Sequence, residues 1–272
     1  MVSCWGPAAS TGMEMQVRAL AESLGLDVQM KDVEVKPPFV WLPNNLYAAG
    51  LGRLVIPHFL NNESDSLHAP WPDVVISCGR RPAMVALGLK HHVPQQTKFI
   101  HIQDPHVSSA NFDVVIAMKH DRIEGGNVIK TQFALHNITQ EKLVAAQAKF
   151  QPIFASYPQP YVAVLLGGST NKYTLSLASM QKLIARLRSI QAATSGTLLI
   201  TVSRRTGDDN ARMLKDVFGD NQRVHIYDGI GENPYMGMLA LAECIFVTND
   251  SVNMMSEAAA TGRPLYILPL HG

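Results

Sequence analysis

Val162–Gly168 followed by Ser169-Thr170-Asn171 reads VAVLLGGSTN, and the reading of this stretch decides the fold. An apolar run of strand length ends in two glycines, then in small hydroxyl and amide residues, ahead of a long helical pattern. Strands covered by helices on both faces have such uninterrupted apolar runs. The turn behind the run is expected to offer unpaired backbone N–H groups at a helix start, a setting that favours an anion such as a nucleotide phosphate. A second junction of the same kind, Thr248-Asn249-Asp250-Ser251, follows another apolar run further along. Together the two predict a ligand crevice at the carboxyl ends of a parallel sheet.

The rest of the second half keeps the same rhythm. Short apolar runs at 161–166, 197–202, 224–227, 244–248 and 264–268 alternate with helical patterns near 174–193, 207–218, 234–243 and 251–261. In the longest of these, Leu177, Met180, Leu183, Ile184, Leu187 and Ile190 share one face. The first half alternates similarly. Strands are expected at 1–5, 27–30, 74–78, 98–102, 114–117 and 128–129, and helices from Met13 to Leu24, over 82–91, and from a Thr139 cap to about Phe150. The stretch 36–72 breaks the pattern with Pro37, Pro38, Pro43, Pro57, Pro70 and Pro72. Pro152, Pro158 and Pro160 suggest an extended connection. The expected fold is α/β, with two Rossmann-like, doubly wound parallel-sheet domains, 1–150 and 151–272, facing a cleft.

Composition narrows the function classes. The 272 residues are 47% apolar and 17% charged, with a net charge of +1, so no global field draws the chain to nucleic acid. No run of 18 apolar residues suggests a spanning helix, and the first residues lack the pattern of a secretory signal. A cytoplasmic location is expected, with peripheral contact at the inner face of a membrane compatible with it. Cys4, Cys78 and Cys244 are scattered, which reads as buried thiols rather than disulfides or a zinc site.

Candidate chemistry gathers at the predicted strand tips. Gly167 and Gly168 permit close backbone approach, Ser169 and Thr170 add hydroxyls, and Asn171 adds an amide, as a phosphate site requires. No Walker lysine or dinucleotide fingerprint follows. Arg204 and Arg205, just past 197–202, offer planar forks that match phosphate oxygens. Asp250 or Ser251 caps the next helix, and Glu257 on its second turn could accept both hydroxyls of a ribose. The first half supplies a matching rim: Glu14 after the 6–12 loop, Arg80 in Gly79-Arg80-Arg81, and Asp104 and His106 after 98–102. Glu14 is the first choice as general base, with Asp104 and His106 as rivals.

These motifs resemble a known family. GGSTNKY, SRRTG, the NPY of Asn233–Tyr235 and VTNDSVNMMSEAAATGRPLYIL are similar to the elongated-mitochondria fission-factor family and its bacterial relatives. CGRRPA at Cys78–Ala83, HIQDPH at His101–His106 and the G-x-E-x-Q of Gly12–Gln16 fit the same family. That family in turn resembles the two-domain glycosyltransferase B fold of lipid-linked sugar transferases. The resemblance implies that Gly167, Gly168 and Ser169 hold phosphate, that Glu257 holds ribose, and that Glu14 takes a catalytic position. Transferases of this fold usually continue past the last strand into helices that return to the first domain. A chain ending at Gly272 is therefore expected to be a shortened or compact form.

Three functions compete at this point. The first is transfer of a sugar from a nucleotide-diphosphate sugar to an envelope saccharide or lipid, with no further cofactor. The second is a non-catalytic adaptor, since plant members of the family are named for recruiting a fission GTPase. The third is a sugar-nucleotide epimerase of the same fold.

Overall fold

The computed structural model describes residues 3–8, 11–227 and 229–270. The chain divides into two compact units, 1–137 and 138–272. The division falls earlier than the expected extended connection at 151–160, because the helix Gln140–Phe154 runs through Pro152 and packs into the second unit. Ile138, Leu143, Ala146, Phe150 and Phe154 all lie in that unit's core.

The first unit is built on a six-stranded parallel sheet in the order β2-β1-β3-β4-β5-β6. Its strands are β1 (Ser3–Ala8), β2 (Asp27–Asp32), β3 (Val74–Cys78), β4 (Lys98–Ile102), β5 (Val114–Met118) and β6 (Val128–Thr131). Helix α1 (Thr11–Ser23) covers one face, burying Val17 and Ala21 against Cys4, Ile76, Cys78 and Ile102. On the other face α3 (Arg80–Leu89) packs over Val75, Phe99 and Val115. The proline-rich stretch also covers that face, and it is more ordered than its composition suggests. It forms the single turns Phe39–Trp41 and Leu51–Leu54, the short helix α2 (Asn44–Ala48) and a π-turn at Val55–Phe59. Tyr47, Val55 and Phe59 enter the core there. The expected 6–12 loop is shorter than anticipated, since β1 runs on to Ala8 and α1 begins at Thr11. Ala9 and Ser10 of that loop, and Met1 and Val2 of the expected first strand, lie outside the described residues.

The second unit carries a five-stranded parallel sheet in the order β11-β10-β7-β8-β9. The strands are β7 (Tyr161–Leu166), β8 (Thr197–Val202), β9 (Val224–Tyr227), β10 (Cys244–Thr248) and β11 (Leu265–Leu268). Between them run α5 (Leu177–Thr194), α6 (Asp208–Phe218), α7 (Tyr235–Leu241) and α8 (Val252–Ala260), and α4 (Gln140–Phe154) precedes them. All six residues of β7 are buried, because successive side chains point to opposite faces and both faces are covered. Val162, Val164 and Leu166 meet Met180, Leu183, Leu187 and Leu214. Ala163 and Leu165 meet the α4, α7 and α8 side, including Phe154, Met238 and Ala258. Thr139 caps α4 by accepting from the Lys142 N–H.

Strand order locates the switch points. In the first sheet the order reverses between β1 and β3, and in the second between β7 and β10. Loops that leave adjacent strands in opposite directions open a crevice at such a switch point, on the carboxyl side. The tips of β7 and β10 carry Gly167 and Thr248–Ser251, and those of β3 and β4 carry Gly79-Arg80 and Gln103–His106.

Candidate functional site

At the β7–β10 switch point the glycine turn is closed, which corrects the expectation of free amides. Gly167 N–H donates to the Thr248 hydroxyl (2.8 Å) and Gly168 N–H to Asp250 Oδ2 (3.0 Å). Ser169 N–H donates to the Arg205 carbonyl (3.1 Å) and Thr170 N–H to the Tyr173 carbonyl (2.8 Å). The turn also does not open a helix, since α5 starts only at Leu177, capped by Ser176. Its glycines serve close packing of the chain on itself. A Cβ on Gly167 would sit 2.2 Å from both carboxylate oxygens of Asp250, and one on Gly168 would sit 1.9 Å from the Arg205 carbonyl oxygen.

The hydroxyls of the turn are differently placed. Ser169 Oγ accepts from Leu175 N–H, and Thr170 Oγ1 accepts from Lys172 and Tyr173 N–H. A hydroxyl that accepts in this way still has a proton to donate. Asn171 is exposed.

Asp250 is the anion the turn holds. Its side chain is fully buried, and Oδ2 takes both the Gly168 N–H and the Arg205 guanidinium at 2.6 Å. Its Oδ1 is buried with no hydrogen-bond partner among the described residues. Capping of α8 falls instead to Ser251, which accepts from Met254 N–H. Ser203 caps the turn Arg204–Thr206, and the Thr206 hydroxyl donates to the Gly167 carbonyl, tying β8's exit to β7's. Arg204 and Arg205 are both exposed on this turn, with Arg205 held by Asp250.

Glu257 is only 4% exposed, on the second turn of α8, and its Oε2 accepts the Tyr235 hydroxyl. Burial pushes its carboxyl above the ordinary value, and the Tyr235 bond pulls it partly back. Burial and the adjacent carboxylate push the Tyr235 phenol well up, so it stays a donor at neutral pH. Sequence reasoning noted NPY but missed this pairing. The available signal was Asn233, whose side chain accepts from Tyr235 N–H and sets the start of α7.

In the first unit the structure places Glu14 on the first turn of α1, with its side chain 40% exposed. One of its oxygens takes Nε and a terminal nitrogen of Arg18 at 3.0 and 2.9 Å. Among the described residues of this unit nothing supplies the shielding expected of a general base. Asp104 Oδ1 accepts from His106 N–H (2.7 Å), which makes Asp104 a brace for its own loop. Gln103 and His106 both adopt positive φ (78° and 56°), unusual for non-glycine residues. Asn44, absent from sequence reasoning, joins this tip by donating to the carbonyls of Arg80 (3.1 Å) and Pro105 (2.7 Å). The exposed Arg80 reaches toward the Leu42 carbonyl (3.5 Å). Among the described residues no group of three or more His, Cys, Asp or Glu could hold a metal ion, and no helix is long and apolar enough to cross a membrane.

The motifs that frame both tips fall within a single family model, that of mitochondrial fission ELM1, which matches residues 11–272. The chain belongs to this family. The mitochondrial fission protein ELM1 of Arabidopsis thaliana is 32% identical over 222 residues, covering 72% of this chain and 51% of that protein. An uncharacterized Rickettsia prowazekii protein, RP120, is 29% identical over 234 residues, covering 72% of this chain and 64% of its own length. The chain thus spans about half the length of the plant relative and under two thirds of the bacterial one. Among solved structures, the UDP-GlcNAc 2-epimerase of Methanocaldococcus jannaschii matches with a TM-score of 0.56 at 13% identity, covering 98% of this chain and 84% of that one. The Neisseria meningitidis UDP-GlcNAc 2-epimerase, solved bound to UDP-GlcNAc, matches with a TM-score of 0.56 at 12% identity, covering 98% and 82%. This ELM1-family chain therefore has the glycosyltransferase-B-like fold, with two parallel-sheet α/β units.

Proposed function

We propose that the second unit binds the nucleoside diphosphate of a nucleotide-diphosphate sugar at the β7–β10 switch point, and that the sugar passes to a saccharide or lipid acceptor held by the first unit. The observation that carries this reading is Glu257, a carboxylate kept buried beside the crevice and only partly compensated by Tyr235. A buried carboxylate is costly unless partners complete its hydrogen bonding, and the vicinal hydroxyls of a ribose would do so. In this reading the closed glycine turn leaves the diphosphate to the first turn of α8 at Ser251, to Arg204 or Arg205, and to the hydroxyls of Ser169 and Thr170. Such fixed donors stabilise a departing diphosphate without reorganisation. On the acceptor side, Glu14 takes the acceptor proton once domain closure or substrate shields it, with Arg80, Asp104 and His106 beside it.

The test is thermal shift with UDP, CDP, GDP and their sugars. Saturation at 100 times Kd is expected to add about 2.7 kcal/mol of stability for one nucleotide class. Glu257→Gln should reduce that gain while leaving the unliganded protein folded. Turnover with no acceptor present that yields an isomerised sugar nucleotide would replace transfer by epimerisation. The closed turn favours one second reading: an adaptor that keeps the fold without its chemistry, in line with the fission role named for the plant relative. A folded protein that responds to no nucleotide would favour the adaptor.

A further inference from the structure

Tyr235 and Glu257 come from different helices, 22 residues apart, and meet at the rim of the second sheet. Helix α7 opens with Tyr235 after the loop that leaves β9, and α8 opens after the tip of β10. Both helices therefore begin on the carboxyl side of the sheet. Among the described residues the Glu257 side chain has one hydrogen-bond partner, the Tyr235 hydroxyl on Oε2. Its Oε1 has none, yet it is not among the side-chain atoms sealed from solvent without a partner, unlike Asp250 Oδ1. The result is a carboxylate with one oxygen fixed by a phenol and the other open.

We propose that Tyr235 is a positioning residue for the ribose subsite: it locks the Glu257 carboxylate so that the open oxygen meets the ribose 2′- and 3′-hydroxyls, making the site selective for ribonucleotides over 2′-deoxyribonucleotides. The inference rests on the nucleotide reading of this unit and names what decides its sugar selectivity. An unlocked carboxylate could rotate to meet water and would gain little from a second hydroxyl. A locked one already has its orientation fixed, so a hydroxyl adds a bond at little further entropy cost. Discrimination of this kind is strong where a site is built to pair a particular hydroxyl, because the analogue lacking it leaves a buried polar group unpaired. The phenol suits this task because its raised pKa keeps it protonated, and its bond favours the ionised carboxylate that accepts from hydroxyls.

The experiment is calorimetric titration of the full chain with UDP, CDP and GDP and with their 2′-deoxy counterparts. The wild type is expected to prefer the ribo form at least about tenfold. Tyr235→Phe keeps the ring and removes the hydroxyl, and it should bring that preference below about threefold while 2′-deoxy affinity is unchanged. Lowered stability alone would not produce that pattern, since it weakens both ligands together. Should Tyr235→Phe fail to fold, Glu257→Gln serves instead: its carbonyl still accepts the phenol while an amide donor faces the ribose, and the ribo preference should be lost. Wild-type binding without ribo preference, or full preference retained by Tyr235→Phe, overturns this inference and leaves nucleotide binding standing. No binding of any nucleoside diphosphate overturns both.

Discussion

Gly168→Ala separates two reasons for the same glycine. If the glycine lets a phosphate approach, the substitution weakens a ligand and spares the fold; if it lets the chain pack on itself, the fold suffers without any ligand. The structure supports the second reason. The added Cβ would lie 1.9 Å from the Arg205 oxygen, 2.1 Å from its carbonyl carbon and 2.4 Å from Thr206 N, all backbone atoms. Ordinary contact begins near 3.4 Å, so the two loops must part by about 1.5 Å (3.4 less 1.9). That movement would stretch the Ser169 N–H bond to Arg205, now 3.1 Å, beyond hydrogen-bonding range. It would also pull on the Arg205–Asp250 pair and on the Thr206 hydroxyl's bond to Gly167. Overpacking of about 1–3 kcal/mol, plus about 1–2 kcal/mol for a strained or lost buried bond, gives a cost of about 2–5 kcal/mol. Urea unfolding of the unliganded protein reads it directly. Gly126→Ala is the control, since nothing lies within 4 Å of its added Cβ and its φ is not positive. It should stay within about 0.5 kcal/mol of wild type. A Gly168→Ala protein as stable as the control would refute the closed-turn account and restore the glycine to a ligand.

Two further predictions concern buried titratable groups. His101 is fully buried, with Nδ1 2.8 Å from the Ser77 hydroxyl and, among the described residues, no partner for Nε2. Burial, helped by His106, lowers its pKa to about 3 from 6.5. The neutral fold is therefore fully favoured above pH 6.5 and loses stability as pH falls toward 3, by roughly 2–3 kcal/mol between pH 6.5 and 4.5. His101→Gln should flatten that slope in urea titrations, and an unchanged slope would rule His101 out as its source. Glu257 has the opposite sign. Its carboxyl is raised, so the fold favours the protonated form and loses stability as pH rises from the ordinary carboxyl value through the raised one. Glu257→Gln should be at least as stable as wild type at pH 7 in thermal melts; marked destabilisation would mean that the ionised carboxylate is a net structural asset.

Much of this architecture was legible along the chain. Tyr161–Leu166, Thr197–Val202, Val224–Tyr227 and Cys244–Thr248 match their expected bounds, because a buried parallel strand is a short apolar run and its exit is marked by glycine or a polar turn. The Thr139 cap was legible for the same local reason. The 36–72 segment was not, because its turns are held by burial of Tyr47, Val55 and Phe59 under tertiary packing rather than by periodicity. The Glu14 and Arg18 pair lies one helical turn apart and could have been read from spacing alone.

By itself the sequence determined the alternation of strands and helices, the pairing of a glycine turn with a second polar junction, and the family. Only the tertiary structure decided strand order, and with it the switch point between β7 and β10. It also decided what fills the glycine turn: Asp250, 82 residues from Gly168, takes the place expected for a phosphate. The reason is that periodicity and turn chemistry act between neighbours in the chain. The partner of a buried N–H or carboxylate, in contrast, is chosen by which loops the crossovers bring together.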